Sequence, residues 1–246
     1  YADSTLFLIG KNNLKNFDIY YESLITKARA SVQLYRNQDA IEAYKLALES
    51  VLSKTVVDKQ YLSNCYQGLG ICYESDNNVE LAIEYYQKAL DVYPNPSTYN
   101  KHYTNAHLLF SGFYTTQKNY VKSKFHLTTL KNYFDKHNHP DSDKEGRVYE
   151  ELGILAYKQY EYDSAKIHYR KALTFYGDEE NFNVFKFAEM LDNLADIEEA
   201  LNHQDEAQKL ILEALSLLEE KLGKKHESYI SQLYSLAIHH RQKGNY

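Results

Sequence analysis

Small side chains recur in this sequence at a nearly constant interval, and that recurrence constrains the fold more than any other feature. Ala40, Ala82, Ser123, Ala165 and Ala207 are 42, 41, 42 and 42 residues apart. A second series, Ala28, Gly70, Ser111, Gly153, Ala195 and Ala237, keeps step with it. Large residues stand one position before that second series, at Leu69, Phe110, Leu152, Leu194 and Leu236, with Lys27 the exception. Tyr44, Tyr86, Leu127, Tyr169 and Ile211 precede Ala47, Ala89, Leu130, Ala172 and Ala214 by three residues, a helical spacing. A large side chain at the small positions would hold two crossing helices apart, so packing restricts the choice. The pattern predicts an array of helix pairs in which each unit is buried by its neighbours.

The clearest unit is residues 66–94. Tyr66, Leu69, Gly70 and Tyr73 mark its first helix, Ala82, Tyr86, Ala89 and Leu90 its second, and Pro94 stops it. This segment resembles a tetratricopeptide repeat (TPR), W-x2-L-G-x2-Y…A-x3-F…P, with Tyr66 in place of the tryptophan. The interval of about 42 exceeds the roughly 34 residues of the basic repeat. The last third of the chain is similar to the longer repeats of kinesin light chains and many bacterial TPR proteins. There a helix ends in Leu-Gly, here Leu222-Gly223, a linker with His226 follows, and Leu191-Asp192-Asn193-Leu194-Ala195 matches the Leu-Asn-Asn-Leu-Ala helix motif.

The resemblance implies an all-α fold, a right-handed TPR solenoid of antiparallel helix pairs forming a single array over residues 1–246. Repeats are expected at about 17–57, 58–96, 97–142, 143–180 and 181–226, with a partial preceding helix in 1–16 and a final single helix in 227–246. Tyr246 occupies the phase of Val79, Tyr120, Tyr162 and Gln204, where a second helix begins, and the last helix is as apolar as an internal one. Together these predict that the array belongs to a longer protein.

Tyrosine is abundant at 25 residues and tryptophan absent; most tyrosines fall on the repeat's aromatic positions, which predicts packed rings with hydroxyls reaching water. A net charge of −6 argues against a nucleic-acid partner, which would want a basic stripe. No apolar run is long enough for a membrane span. Cys65 and Cys72 would lie about 10 Å apart on one helix, too far for a disulfide, and read as buried thiols. They favour a cytoplasmic location and are compatible with an exported or periplasmic one.

Constellations able to carry chemistry are scarce. The linker 135–143 offers Asp135, His137, His139, Asp141 and Asp143, but an interhelical linker gives poor support for tetrahedral coordination, and the aspartates suit helix N-caps. A calcium-loop reading of 141–152 fails because its twelfth position is Leu152. His239 and His240 point to different faces and read as solvated. No phosphate loop, nucleophile elbow or zincin motif is present, so neither catalysis nor a cofactor or metal is expected.

Function must then come from the surface. In TPR arrays the first helix of each unit lines a groove, and carried over by position the lining includes Arg29, Asn64, Gln67, Arg147, Glu150, Glu189, Asp192, Asn193, Asp196 and Glu199. The carboxylate clamp of chaperone-binding members is absent, since its positions hold Ile25 with Arg29, Gln67 with Ile71, and Arg147 followed by Glu151. Instead Asp192, Asp196 and Glu199 fall at i, i+4 and i+7 on one face. That ladder reads either as an ordinary solvated helix face or as a groove for a basic segment, with Asn193 pairing to ligand amides. The expectation is a non-catalytic protein- or peptide-binding module. The alternative is a regulatory segment of a larger protein, such as a sensor kinase, a caspase-like protease or a peptide-sensing regulator.

Overall fold

The computed structural model describes residues 17–137, 142–177 and 182–242. Helix makes up 83% of these residues, and no strand occurs among them. Eleven helices follow in order: α1 (Phe17–Gln33), α2 (Asn37–Leu52), α3 (Lys59–Ser75), α4 (Val79–Asp91), α5 (Lys101–Thr116), α6 (Tyr120–His137), α7 (Ser142–Lys158), α8 (Tyr162–Tyr176), α9 (Val184–Ala200), α10 (Gln204–Leu222) and α11 (Glu227–Gln242). The partial helix expected in 1–16 lies outside the described residues, as do positions 138–141 of the linker considered for metal binding. The chain divides into two compact units, Tyr1–Lys118 and Asn119–Tyr246, each with its own core.

In the first unit the small residues do what their spacing requires. Ala28, Ala40, Ala47, Ala82 and Ala89 are fully buried. Gly70 lets the ring of Tyr86 rest on the α3 backbone; a Cβ there would come within 2.6 Å of it. Tyr21, Leu24 and Ile25 of α1, Tyr44 of α2, Leu69 and Tyr73 of α3, and Phe110 and Phe113 of α5 complete one continuous apolar cluster. Cys65 and Cys72 are free and buried in it, and burial pushes both thiols up to about 12. In the second unit Tyr169 and Tyr176 of α8 pack with Met190, Leu194 and Ile197 of α9, and Ile211 of α10 closes on Ala195.

The short turns between successive helices share a left-handed residue at five places, and four of them share one closure. Tyr35, Asn77, Lys118, Tyr160 and Asn202 all adopt left-handed backbone, with φ between 55° and 62°. The amide of the next residue then reaches back to the helix, as in Arg36 N–H to Ser31 O (2.9 Å), Asn78 to Tyr73 (2.8 Å), Glu161 to Ala156 (2.9 Å) and His203 to Glu198 (2.8 Å). This is the Schellman closure, which satisfies carbonyls at the helix end. Asparagine takes the left-handed region readily, whereas Tyr35, Lys118 and Tyr160 adopt it at a cost. No glycine announces these turns in the sequence. Gly223 does announce one: at φ 82° it ends α10, where the Leu-Gly motif placed a stop. Side chains cap some helix starts, with Asp58 Oδ1 accepting from Gln60 N–H (2.7 Å) and Asn100 Oδ1 from His102 N–H (2.9 Å), whereas α2, α8 and α10 begin without such a bond.

Three tyrosine tips depart from expectation. Tyr21, Tyr86 and Tyr176 are no more than 1% exposed, and their hydroxyls end on internal acceptors: Tyr61 O (3.2 Å), Glu74 Oε2 (2.6 Å) and Glu150 Oε2 (2.6 Å). At these buried positions no water is left for the hydroxyl, so the protein supplies the partner.

Candidate functional site

In the first unit, Arg29 is exposed near the end of α1 and Asn64 is half-buried on α3. Gln67, expected to line the groove, is instead 8% exposed, and its Nε2 donates to Ser63 Oγ (2.9 Å) and His102 O (3.1 Å). That amide is engaged in joining α3 to α5.

The remaining candidates lie on α7 and α9 in the second unit. Glu150 is buried at 6% exposure. Its carboxylate accepts from the Tyr176 hydroxyl and from Lys186 Nζ (3.0 Å), which also reaches Glu189 Oε2 (2.8 Å). This cluster ties α7 to α8 and α9, so Glu150 acts as a strut, and Glu189 is exposed beside it. Arg147 is half-buried on α7, near Glu151, whose carboxyl burial pushes up.

The ladder on α9 faces α11. Asp192 accepts from Gln232 Nε2 (2.9 Å) and Ser235 Oγ (3.4 Å), and Glu199 pairs with His239 Nδ1. His239 is 1% exposed, so the solvated histidine expected from sequence is a buried one. Its register with Glu199, 40 residues back, places it on the seam between consecutive first helices, a relation that its neighbour His240 conceals in the sequence. Asn193 is half-buried on the same helix.

Asp196 sits between these two bonded carboxylates. It is exposed, yet it has neither a hydrogen bond nor a cationic partner among the described residues. Surrounding protein, then the charges of Asp192 and Glu199, push its carboxyl up to about 6. The half-buried ring of Tyr157, near the end of α7, completes the surroundings; burial and then Asp196 raise its own hydroxyl. A pKa raised in the folded state means stability present below the unfolded value and lost as pH climbs through about 6. Asp196→Asn should therefore raise the melting temperature at pH 7.5 and leave it unchanged at pH 3.5. Because the side chain is exposed, the gain should stay below about 1 kcal/mol; scanning calorimetry at both pH values reads it.

A second charged cluster was not foreseen. Glu198, 3% exposed, pairs with Lys166 Nζ of α8 (2.5 Å) and with His203 Nδ1 (2.9 Å), beneath an open cleft also bordered by Arg170, Gln204 and Asp205. Burial opposes its charge, but the Lys166 and His203 bonds outweigh it and hold the carboxyl below its usual range. No group of three or more His, Cys, Asp or Glu side chains among the described residues could hold a metal ion. None of the described helices is long and apolar enough to cross a membrane.

Repeated helix pairs, joined by turns that share a left-handed residue and carrying polar faces on their first helices, define a helical-repeat binding scaffold. Tetratricopeptide repeat family models match residues 23–95 and 187–228, and these segments are tetratricopeptide repeats. No curated protein sequence matches it. Among solved structures it is similar to BtubC (BKLC) from P. vanneervenii, at 16% identity and a TM-score of 0.74 over 90% of this chain and 88% of that one. It is also similar to the apo quorum sensor NprR from B. thuringiensis, at 16% identity and a TM-score of 0.72, over 96% of this chain but 63% of that one. The TPR-like repeats of a kinesin light chain protein from Podospora anserina align at 13% identity and a TM-score of 0.63, over 81% and 94% of the two chains.

Proposed function

We propose that this TPR protein is a non-catalytic module that binds a protein or peptide segment along the first-helix face of its second unit, and that the segment brings a positive charge to Asp196. The unpartnered carboxylate of Asp196 carries this reading. Its neighbours on the ladder have protein partners, whereas Asp196 stands exposed among protein atoms with its charge disfavoured. A cation arriving there gains an uncontested partner and relieves the repulsion between adjacent carboxylates. The half-buried ring of Tyr157 adds a π face for such a charge. The second reading, a peptide-sensing regulatory segment of a larger protein, is supported by the fold likeness to NprR, which is described as a quorum sensor.

The test is fluorescence anisotropy with a panel of lysine- and arginine-bearing peptides, and with neutral peptides as reference. Asp196→Asn should weaken binding roughly two- to fivefold, the range of one exposed ion pair. Affinity should also fall with salt and as pH drops through about 6, where Asp196 takes up a proton. Glu206→Gln with Glu213→Gln, exposed on α10, is the control for net charge. Equal losses from both substitutions would leave a diffuse acidic surface and no site.

A further inference from the structure

Charge is segregated in this chain in a way that the net value of −6 hides. Within the second unit, α6 carries four lysines against one aspartate, and α8 carries three basic residues against one aspartate. Among the exposed positions of these helices stand three large apolar side chains, two on α6 and one on α8. Val121 and Phe125 of α6, one turn apart, are 82% and 64% exposed, and Ile167 of α8 is 68% exposed. Lys122 and Lys124 flank the α6 pair, and Arg170 lies one turn beyond Ile167. The two helices share a field: burial and then Lys124 on α6 lower His168 on α8, while burial and then Lys122 push His126 down to about 4.

We infer that the outer face of α6 and α8 docks on an anionic membrane surface, with Phe125, Val121 and Ile167 entering the headgroup boundary and Lys122, Lys124 and Arg170 meeting lipid phosphates and carboxylates. Charge complementarity names the occupant. Exposed apolar side chains flanked by cations are rewarded together at a bilayer interface, where the former leave water and the latter meet anionic lipid. A nucleic-acid backbone would use the cations and gain nothing from the valine and isoleucine. An acidic protein segment would be expected in a hollow, whereas these three side chains stand out from helix surfaces. The face is on second helices, so it is separate from the Asp196 site and does not rest on it.

Co-flotation of the whole protein with phosphatidylcholine vesicles, with and without phosphatidylserine, tests the inference. Binding to the doped vesicles should exceed binding to neutral ones by about tenfold or more and should fall with salt. Lys122→Glu with Lys124→Glu should remove the preference, and Phe125→Ser should weaken binding several-fold, with unchanged circular dichroism since all three side chains are exposed. Indifference to phosphatidylserine, or no flotation at all, would overturn it. So would anionic binding that Phe125→Ser and Val121→Ser leave intact and soluble heparin displaces, because that is polyanion attraction without docking.

Discussion

Gly153→Leu is expected to lower the melting temperature by several degrees and up to roughly 10 °C. Gly153 stands on α7 where Tyr169 of α8 crosses it, and a Cβ alone would come within 2.5 Å of the Tyr169 ring. That ring cannot withdraw, because it is 3% exposed and enclosed by Ala156, Met190 and Leu194. Leucine must therefore separate α7 from α8, at a cost of about 1–3 kcal/mol or more where the backbone cannot shift. The matched control is Lys158→Leu on the exposed side of the same helix. Thermal unfolding followed by circular dichroism should separate the two variants; equal melting temperatures would show that the repeat frame is misplaced.

Lys166→Met is expected to cost about 3 kcal/mol at neutral pH. It removes the principal cation from Glu198, whose side chain is 4% exposed, and leaves it with His203 alone, which is largely in solvent. A buried carboxylate stripped of its partner is destabilising because water cannot replace the lost charge. The pH dependence follows from linkage. In the parent the Glu198 carboxyl is lowered, so its contribution is present above the ordinary carboxylate pKa and disappears as pH falls through its folded value. The variant should accordingly approach the parent in acid, where Glu198 is protonated in both. Adding Glu198→Leu should recover most of the loss. Denaturant titrations at pH 7.5 and at pH 2.5, well below the ordinary carboxylate range, measure all three; a loss unchanged between these pH values would mean that the lysine acts through packing of its stem.

The repeat was legible because close helix crossings admit few residue types, so Gly70, Ser111, Gly153 and Ala195 carry the frame through otherwise divergent units. Three of the five left-handed residues were not legible, since Tyr35, Lys118 and Tyr160 occupy a conformation that sequence assigns to glycine or to an asparagine such as Asn77 or Asn202. At the candidate site, phase placed Asp192, Asp196 and Glu199 on α9, but phase says nothing of what stands opposite. The bonds from Gln232, Ser235 and His239 join residues 40 or 43 positions apart, and only a structure reveals them. The same blindness hid Glu198, which looks like one more glutamate beside Glu199 until Lys166 of the preceding pair is brought against it. Ala237 illustrates the converse. Its counterparts at Ala28, Ser111 and Ala195 are buried, while it is exposed on α11, which no second helix covers among the described residues.

The claim that Asp196 and its surroundings form the binding face is tested most directly by NMR chemical-shift mapping with the tightest basic peptide from the panel. Perturbations should concentrate on Asp196, Asn193 and Tyr157 in the parent, and should vanish from those positions in Asp196→Asn. Shifts centred instead on Glu206 and Glu213 of α10, or a pattern that survives Asp196→Asn unchanged, would contradict the account.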